Sequence, residues 1–349
     1  MTRRNILVAG AVGLAMPYVW SRPARAAGQV VVRNPGGAYG DTQKKYIYDA
    51  FTKETGIEVV VVASTMAKML AMVKSGNAEL DVADAGLDGL ITLHKAGAMA
   101  SIDYAKWKYT DPNDIAKEFR AETTVGFNLY ATVLGYNKEV FQEGKQPRNW
   151  EQFWDAKAFP GARMLADMAS GAPNLEFALL ADGVPMDKIF PIDIDRAFKS
   201  MSHIKPAIKK FWDTGALSAQ MLADKDVALG SIWNGRLQAI ADKGAPLAIE
   251  WNQHMLQIQG LGIFKDGKNA KEAQLLVDYS MSAKPNSGVG MELNYGPINR
   301  KSFDLLSPAM IARLPGSPAN LQRSFLQDVK WWDENRAKVN SMWSKWILT

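Results

Sequence analysis

The sequence predicts an α/β fold of two lobes, each a mainly parallel sheet flanked by helices, hinged by strands that cross between them. Three observations carry this. A strand, helix, strand unit repeats along the first part of the chain, and its strands read as apolar runs without polar alternation, as strands covered on both faces do. An apolar segment, Gly126 to Tyr136, leads away from that unit, and a second, Gln257 to Ile263, returns to it. The chain has 349 residues, 47% hydrophobic and 22% charged, which is length and composition enough for two lobes.

The elements follow in order. Gln29 to Arg33 is a short strand, followed by the glycine turn Gly36-Gly37-Ala38-Tyr39-Gly40 and a helix that Asp41 or Thr42 can cap. Its apolar positions Tyr46, Ile47, Ala50 and Phe51 fall at helical spacing, and Thr55-Gly56 ends it. Ile57 to Val62 is a β-branched strand expected to be covered on both faces. Met66 to Ser75 is a helix, Leu80 to Ala85 a strand, and Gly89 to Ala96 a helix closed by Gly97. Beyond the crossing segment, Asn149 to Ala158 is a capped helix and Ala162 to Ala166 a strand. Helices are expected around 174–182, 193–202, 204–213 and 218–224, then the strand Val227 to Trp233, the helix Leu237 to Lys243 and the strand Pro246 to Trp251. After the return come a helix over 269–282 and one or two amphipathic helices over 318–347. The expected organisation is residues 27–135 plus about 258–315 as the first lobe, 136–257 as the second, and 316–349 as C-terminal helices packing on the lobes.

Residues 1–26 read as a targeting peptide. Arg3-Arg4 precede a modestly apolar, glycine-containing run from Ile6 to Trp20, and Ala24-Arg25-Ala26 is a small-x-small cleavage site. Paired arginines before such a run point to twin-arginine export and a periplasmic protein. A single membrane anchor is the alternative, but 15 apolar residues fall short of the roughly 20 that span a bilayer. Four arginines and no acidic residue lie in this segment, so subtracting it from the formal +5 leaves +1, and no nucleic-acid partner is expected. The absence of cysteine excludes disulfides and thiolate chemistry within the chain.

The segment Gly230-Ser231-Ile232-Trp233-Asn234-Gly235-Arg236 suits a binding cleft. Trp233 offers a flat apolar face, Asn234 a donor and an acceptor, Gly235 close backbone approach and Arg236 a planar fork matched to a carboxylate or phosphate. Read this way, the ligand has a hydrocarbon part and a charge. Trp233 otherwise reads as a core tryptophan at a strand end, and Arg236 as half of a surface salt bridge. Tyr39 follows a glycine turn whose amides can face an anion, although the G-x-G-x-x-G spacing of a dinucleotide site is absent. Ser64 and Thr65 lie at the next strand-to-helix turn, Tyr295 at a cleft edge, and Trp251 at the end of a second-lobe strand. Inter-lobe clefts are common ligand sites.

Phe51-Thr52-Lys53-Glu54-Thr55-Gly56-Ile57-Glu58-Val59, Leu229 to Gly235 and Asn294-Tyr295-Gly296-Pro297-Ile298-Asn299, in this order and spacing, resemble periplasmic solute-binding proteins of ABC importers, the spermidine/putrescine-binding branch in particular. The resemblance covers essentially the whole chain after the targeting segment. It implies a type II-like periplasmic binding protein fold that closes on a solute and presents it to an inner-membrane permease with its ATPase. It also implies that Trp233 packs on the ligand's methylene chain. No cofactor is expected.

The departures bear on the ligand. Where polyamine receptors place acidic side chains, the returning strand carries Gln257 and Gln259, and the loop holding Ser170 has one carboxylate, Asp167. A dication between two glutamines lacks charge-assisted partners worth roughly 1.5–3 kcal/mol each, and Arg236 repels it. A zwitterion or carboxylate, such as a γ-aminobutyrate-like ω-amino acid, fits better, with Arg236 on the carboxylate and Asp84, Asp167 or Glu250 on an ammonium. A genuine polyamine receptor remains the alternative. From another class, an enzyme or ferric receptor on the same fold is disfavoured: His94, His203 and His254 are scattered, no Gly-x-Ser-x-Gly elbow appears, and no adjacent tyrosine pair is present.

Overall fold

The computed structural model describes residues 28–171 and 173–349, so the expected targeting segment, residues 1–26, lies outside it. Eleven strands among the described residues join in one sheet. They are β1 (Gly28–Arg33), β2 (Ile57–Val62), β3 (Val82–Gly86), β4 (Met99–Ala100), β5 (Thr124–Asn137), β6 (Arg163–Ala166), β7 (Ile208–Trp212), β8 (Leu229–Trp233), β9 (Leu247–Phe264), β10 (Gly296–Pro297) and β11 (Ser324–Leu326). Their order is β2-β1-β3-β9-β5-β8-β6-β7, with β4 and β11 paired to β9 and β10 to β5.

Two parallel blocks, β2-β1-β3 and β8-β6-β7, flank an antiparallel pair, β5 and β9. That pair runs from Thr124 opposite Gly262 to Asn137 opposite Leu247 and so belongs to both lobes. Helices cover the two faces of each block. In the first lobe Val30, Val32 and Val82 pack with Ile47, Phe51 and Val277 on one side, while Ala83 and Ala85 meet Met69, Leu90 and Leu93 on the other. In the second lobe Leu165 and Leu229 face one cluster, and Met164 and Ile232 the opposite one. Strand alternation on a doubly covered sheet produces this division.

Several elements differ from expectation. Ile57–Val62 is a strand, but it is the sheet's edge: Ile57 is buried in the first-lobe core and Val59 packs on it, while Val61 and Val62 are 47% and 36% exposed. The helix expected over 204–213 is a single 3-10 turn, Lys205–Ala207, and then β7, because Ile208, Phe211 and Trp212 pair alongside β6. The two strands expected at 246–251 and 257–263 are one, β9: Thr132 lies opposite Met255 and Leu134 opposite Glu250, so a bulge at Trp251–His254, with Gln253 at φ 58, interrupts the register without ending the strand. The first long helix starts at Gly37 behind Gly36 at φ 75, and Thr42, instead of capping it, bonds back to the Ala38 carbonyl. A helix not anticipated from the sequence, Ala283–Leu293, ends at Asn294 in the left-handed conformation (φ 54) and aims Tyr295 at the cleft.

The helix Val329–Trp346, capped by Asp328, buries Trp331, Trp332, Val339 and Trp343 in the second-lobe core beside Trp150, Phe177 and Phe198. Trp332 Nε1 donates to Glu176 Oε1 at 2.6 Å, and Glu176 Oε2 has no partner. Burial pushes the Glu176 carboxyl from its ordinary 4.5 up to about 7, and the indole offsets part of that rise. A folded pKa above the unfolded one means that this group's stabilising contribution is present at low pH and is lost as pH climbs through that interval. Trp332→Phe is expected to lower the unfolding free energy by about 1–3 kcal/mol. The loss should be larger at about pH 8 than at about pH 6, since the ionised form needs the donor most; denaturant titrations at both pH values measure it.

Candidate functional site

A cavity of about 290 Å³ opens between the lobes, close to the lower end of the roughly 300–1,000 Å³ usual for small-molecule sites. It lies where the parallel strands end: Arg33 closes β1, Gly86 β3, Ala166 β6, Trp212 β7 and Trp233 β8, and all line it. Open α/β sheets bind ligands at this carboxyl edge.

Its walls are aromatic. Trp233 stands edge-on to Trp212 at 5.3 Å and to Tyr130 at 6.3 Å, and Tyr130 lies 5.8 Å from Tyr295. Gly215 backs Trp233, since a Cβ there would stand 2.6 Å from Cε3 of the indole. Tyr39 completes the wall from the first lobe, 6.4 Å from Tyr295.

The charged lining is Arg33, Asp88, Arg236 and Arg336. Arginine–carboxylate pairs among the described residues engage Arg148, Arg196, Arg300, Arg313 and Arg336. Arg33 and Arg236 have none. Arg33 instead donates through Nε to the Ser64 carbonyl at 3.0 Å and through Nη1 to the Asp84 carbonyl, and burial lowers its pKa. Arg236, near the start of the helix Asn234–Ala241, crosses the cleft so that Nη1 lies 3.9 Å from where a Cβ on Gly37 would stand.

Beneath the first-lobe wall sits Asp84, fully buried. It accepts from Gln259 Nε2 at 2.6 Å, from the Tyr39 hydroxyl at 3.2 Å and from Gln43 Nε2. Desolvation raises its pKa to about 6, the Gln259 and Gln43 bonds holding it from rising further. Asn128 donates through Nδ2 to the Tyr39 oxygen at 3.1 Å, while its Oδ1, buried at the cavity, has no partner. A bulge between Gly126 and Asn128 in the β5 to β9 register turns Phe127 into the core and Asn128 to the cavity.

Of the residues expected from the sequence, Trp233, Arg236, Tyr39, Ser170, Gln259 and Tyr295 line one cavity. Asn234 does not. It is fully buried, accepting from the Ala131 amide at 2.9 Å and donating to the Asn294 carbonyl at 2.9 Å and to Gln238 at 3.0 Å, which ties crossing strand, second-lobe helix and Tyr295 segment together. Asp84 lies behind the wall, not on it. Ser64 contributes a backbone carbonyl to Arg33, and Thr65 caps the helix Met66–Ser75. Trp251 packs on His254 in the β9 bulge, 5.1 Å between rings. Asp167 caps a turn through the Ala169 amide, and Glu250 faces Arg148, so neither carboxylate meets the cavity. Arg33, Asp88, Asn128, Tyr130 and Arg336 were not anticipated. Of these, Arg33 had a signal, being the charged residue that ends an apolar strand.

Gly235 lets the second-lobe helix approach the Tyr295 segment: a Cβ there would stand 2.5 Å from the Tyr295 ring and 2.7 Å from the Leu293 carbonyl. Gly235→Ala is therefore expected to cost about 1–3 kcal/mol of stability, read as a lower denaturant midpoint at unchanged slope.

Comparison with known proteins accords with this geometry. Residues 46–319 match the model of the bacterial extracellular solute-binding protein family. The chain is 27% identical over 318 residues to a γ-aminobutyric acid-binding protein of Pseudomonas aeruginosa, covering 89% of this chain and 88% of that one. It is 24% identical over 311 residues to the spermidine/putrescine-binding periplasmic protein of Escherichia coli, covering 83% and 87%. Among solved structures it superposes on an ABC transporter substrate-binding protein from Bradyrhizobium japonicum with a TM-score of 0.84 at 32% identity, covering 91% of this chain and 99% of that one. With two lobes hinged by paired strands, a polar and aromatic cleft between them and a family match across most of its length, the chain belongs to the bacterial extracellular solute-binding proteins.

Proposed function

We propose that this protein is the periplasmic receptor of an ABC importer and that it captures a small carboxylate with an apolar middle and an amine at the far end, an ω-amino acid of the γ-aminobutyrate kind. One observation carries the ligand class: two guanidiniums, Arg33 and Arg236, reach a cavity walled by tyrosine and tryptophan and have no carboxylate partner there. A carboxylate bridging them gains charge-assisted bonds from both lobes and favours the closed form. The apolar middle lies against Trp233 and Tyr130. The amine donates to the vacant Asn128 Oδ1 and to the tyrosine faces, which attract cations. A diamine meets the same guanidiniums and is repelled. The relative that binds γ-aminobutyric acid supports this reading.

Export by the twin-arginine-type segment at residues 1–26 and delivery of the solute unchanged to a permease and its ATPase belong to the same proposal. Catalysis has no part in it, and incubating the protein with its ligand should return that ligand intact.

A thermal-shift screen of ω-amino acids, organic acids, putrescine and spermidine tests the ligand class. A solute held 100-fold above its Kd should add about 2.7 kcal/mol of stability. Stabilisation by putrescine or spermidine with no response to any carboxylate would falsify the reading. Arg236→Ala is expected to weaken binding of the carboxylate by about ten- to a hundredfold, the loss of a charge-assisted pair. Asn128→Leu should weaken an ω-amino acid more than the unaminated acid of the same length, and calorimetric titration of both ligands measures the difference.

A further inference from the structure

Arg336 reaches the cavity from the helix Val329–Trp346, whose tryptophan face is fixed in the second lobe. Its guanidinium is engaged three ways. Nη2 lies 2.7 Å from Asp88 Oδ2, on the first-lobe helix Leu87–Lys95. Nη1 donates to the Gly171 carbonyl in the second-lobe loop, and Cζ lies 5.8 Å from the Trp332 ring centroid. Lys95 and Asp333 pair between the same two helices. Asp88 is the one carboxylate among the described residues lining the cavity. Its other oxygen, Oδ1, is pressed against the end of β3, 2.7 Å from where a Cβ on Gly86 would stand.

We infer that Arg336 is a specificity-determining residue: by occupying Asp88 across the cleft, it withholds the cavity's carboxylate from cationic groups and so excludes diamines. The inference rests on the carboxylate-selective reading of the site. A diamine that took Asp88 would have to break a charge-assisted bond and leave Arg336 unpaired beside two further guanidiniums, while still holding Gly171 and the Trp332 face. A ligand carboxylate meets no such opposition. The pair also joins a helix anchored on one lobe to a helix of the other.

Calorimetric titration with putrescine of the wild type, Arg336→Gln, Asp88→Asn and the double variant tests this. Arg336→Gln is expected to bind putrescine at least about tenfold more tightly than the wild type, and the double variant to lose that gain. A cooperatively melting Arg336→Gln protein with wild-type putrescine affinity overturns the inference, as does a gain that survives without Asp88. If Arg336→Gln does not fold, Asp88→Asn decides with glutarate, which has no amine: freeing Arg336 should strengthen glutarate binding at least about threefold, and unchanged or weaker binding overturns the inference. A wild type that binds no carboxylate, together with a putrescine gain in Arg336→Gln, defeats the proposed function and leaves this inference standing.

Discussion

The antiparallel ladder between β5 and β9 is the constraint on which both lobes depend. Each strand is long enough to serve two parallel blocks, so one set of backbone hydrogen bonds fixes the first lobe at one end and the second at the other. The carboxyl ends of β1 and β3 then face those of β6 and β8 across a gap, and side chains at those ends become its walls. Two irregularities in the ladder refine it. One turns Asn128 toward the gap; the other gathers Trp251 and His254 into a bulge that pairs with β11. Asn234 clamps the second-lobe helix to this ladder and to the Tyr295 segment, so its buried amide sets the approach of elements from both lobes without touching the cavity.

Charge in the cavity is arranged in two layers. The lining carries three arginines and one aspartate, and that aspartate is paired. Behind it, Asp84 uses its two oxygens on Tyr39, Gln259 and Gln43, holding the polar wall in place while burial keeps its own ionisation costly near neutral pH. Negative charge is thus spent on fixing the wall, and positive charge is left facing the gap. Under the proposed function, this asymmetry is what favours a carboxylate ligand over a dication.

Elements whose pattern is local were legible in the sequence. The helix Met66–Ser75 and the strand Ile57–Val62 have the expected bounds, because a capping threonine, a β-branched run interrupted only by Glu58 and two flanking glycines mark them. β7 was not legible as a strand, since Ile208, Phe211 and Trp212 fall at helical spacing and only pairing with β6 settles their state. In the site, Trp233-Asn234-Gly235-Arg236 stood out as four unlike residues together, yet they do not all serve the cavity. Trp233 and Arg236 face the gap, and Asn234 points into the hinge. Asp88 and Arg336, 248 residues apart, meet only through tertiary packing, and a lone arginine on an amphipathic helix carries no mark of it. Asn128 was hidden because a one-residue bulge, invisible in an apolar strand, decides which way it faces.

The tryptophans at 331, 332 and 343 complete the second-lobe core, and the helix Ala270–Met281 completes the first. Neither lobe is therefore a continuous stretch of chain. During synthesis the strands of the second lobe emerge long before residues 329–346, and until that helix leaves the ribosome Phe198 and Phe211 lack the rings of Trp343 and Trp346 against which they pack. Contacts this distant in sequence close slowly. Completion of the first-lobe core is consequently paced by the arrival of the helix Ala270–Met281, and that of the second by the later helix Val329–Trp346.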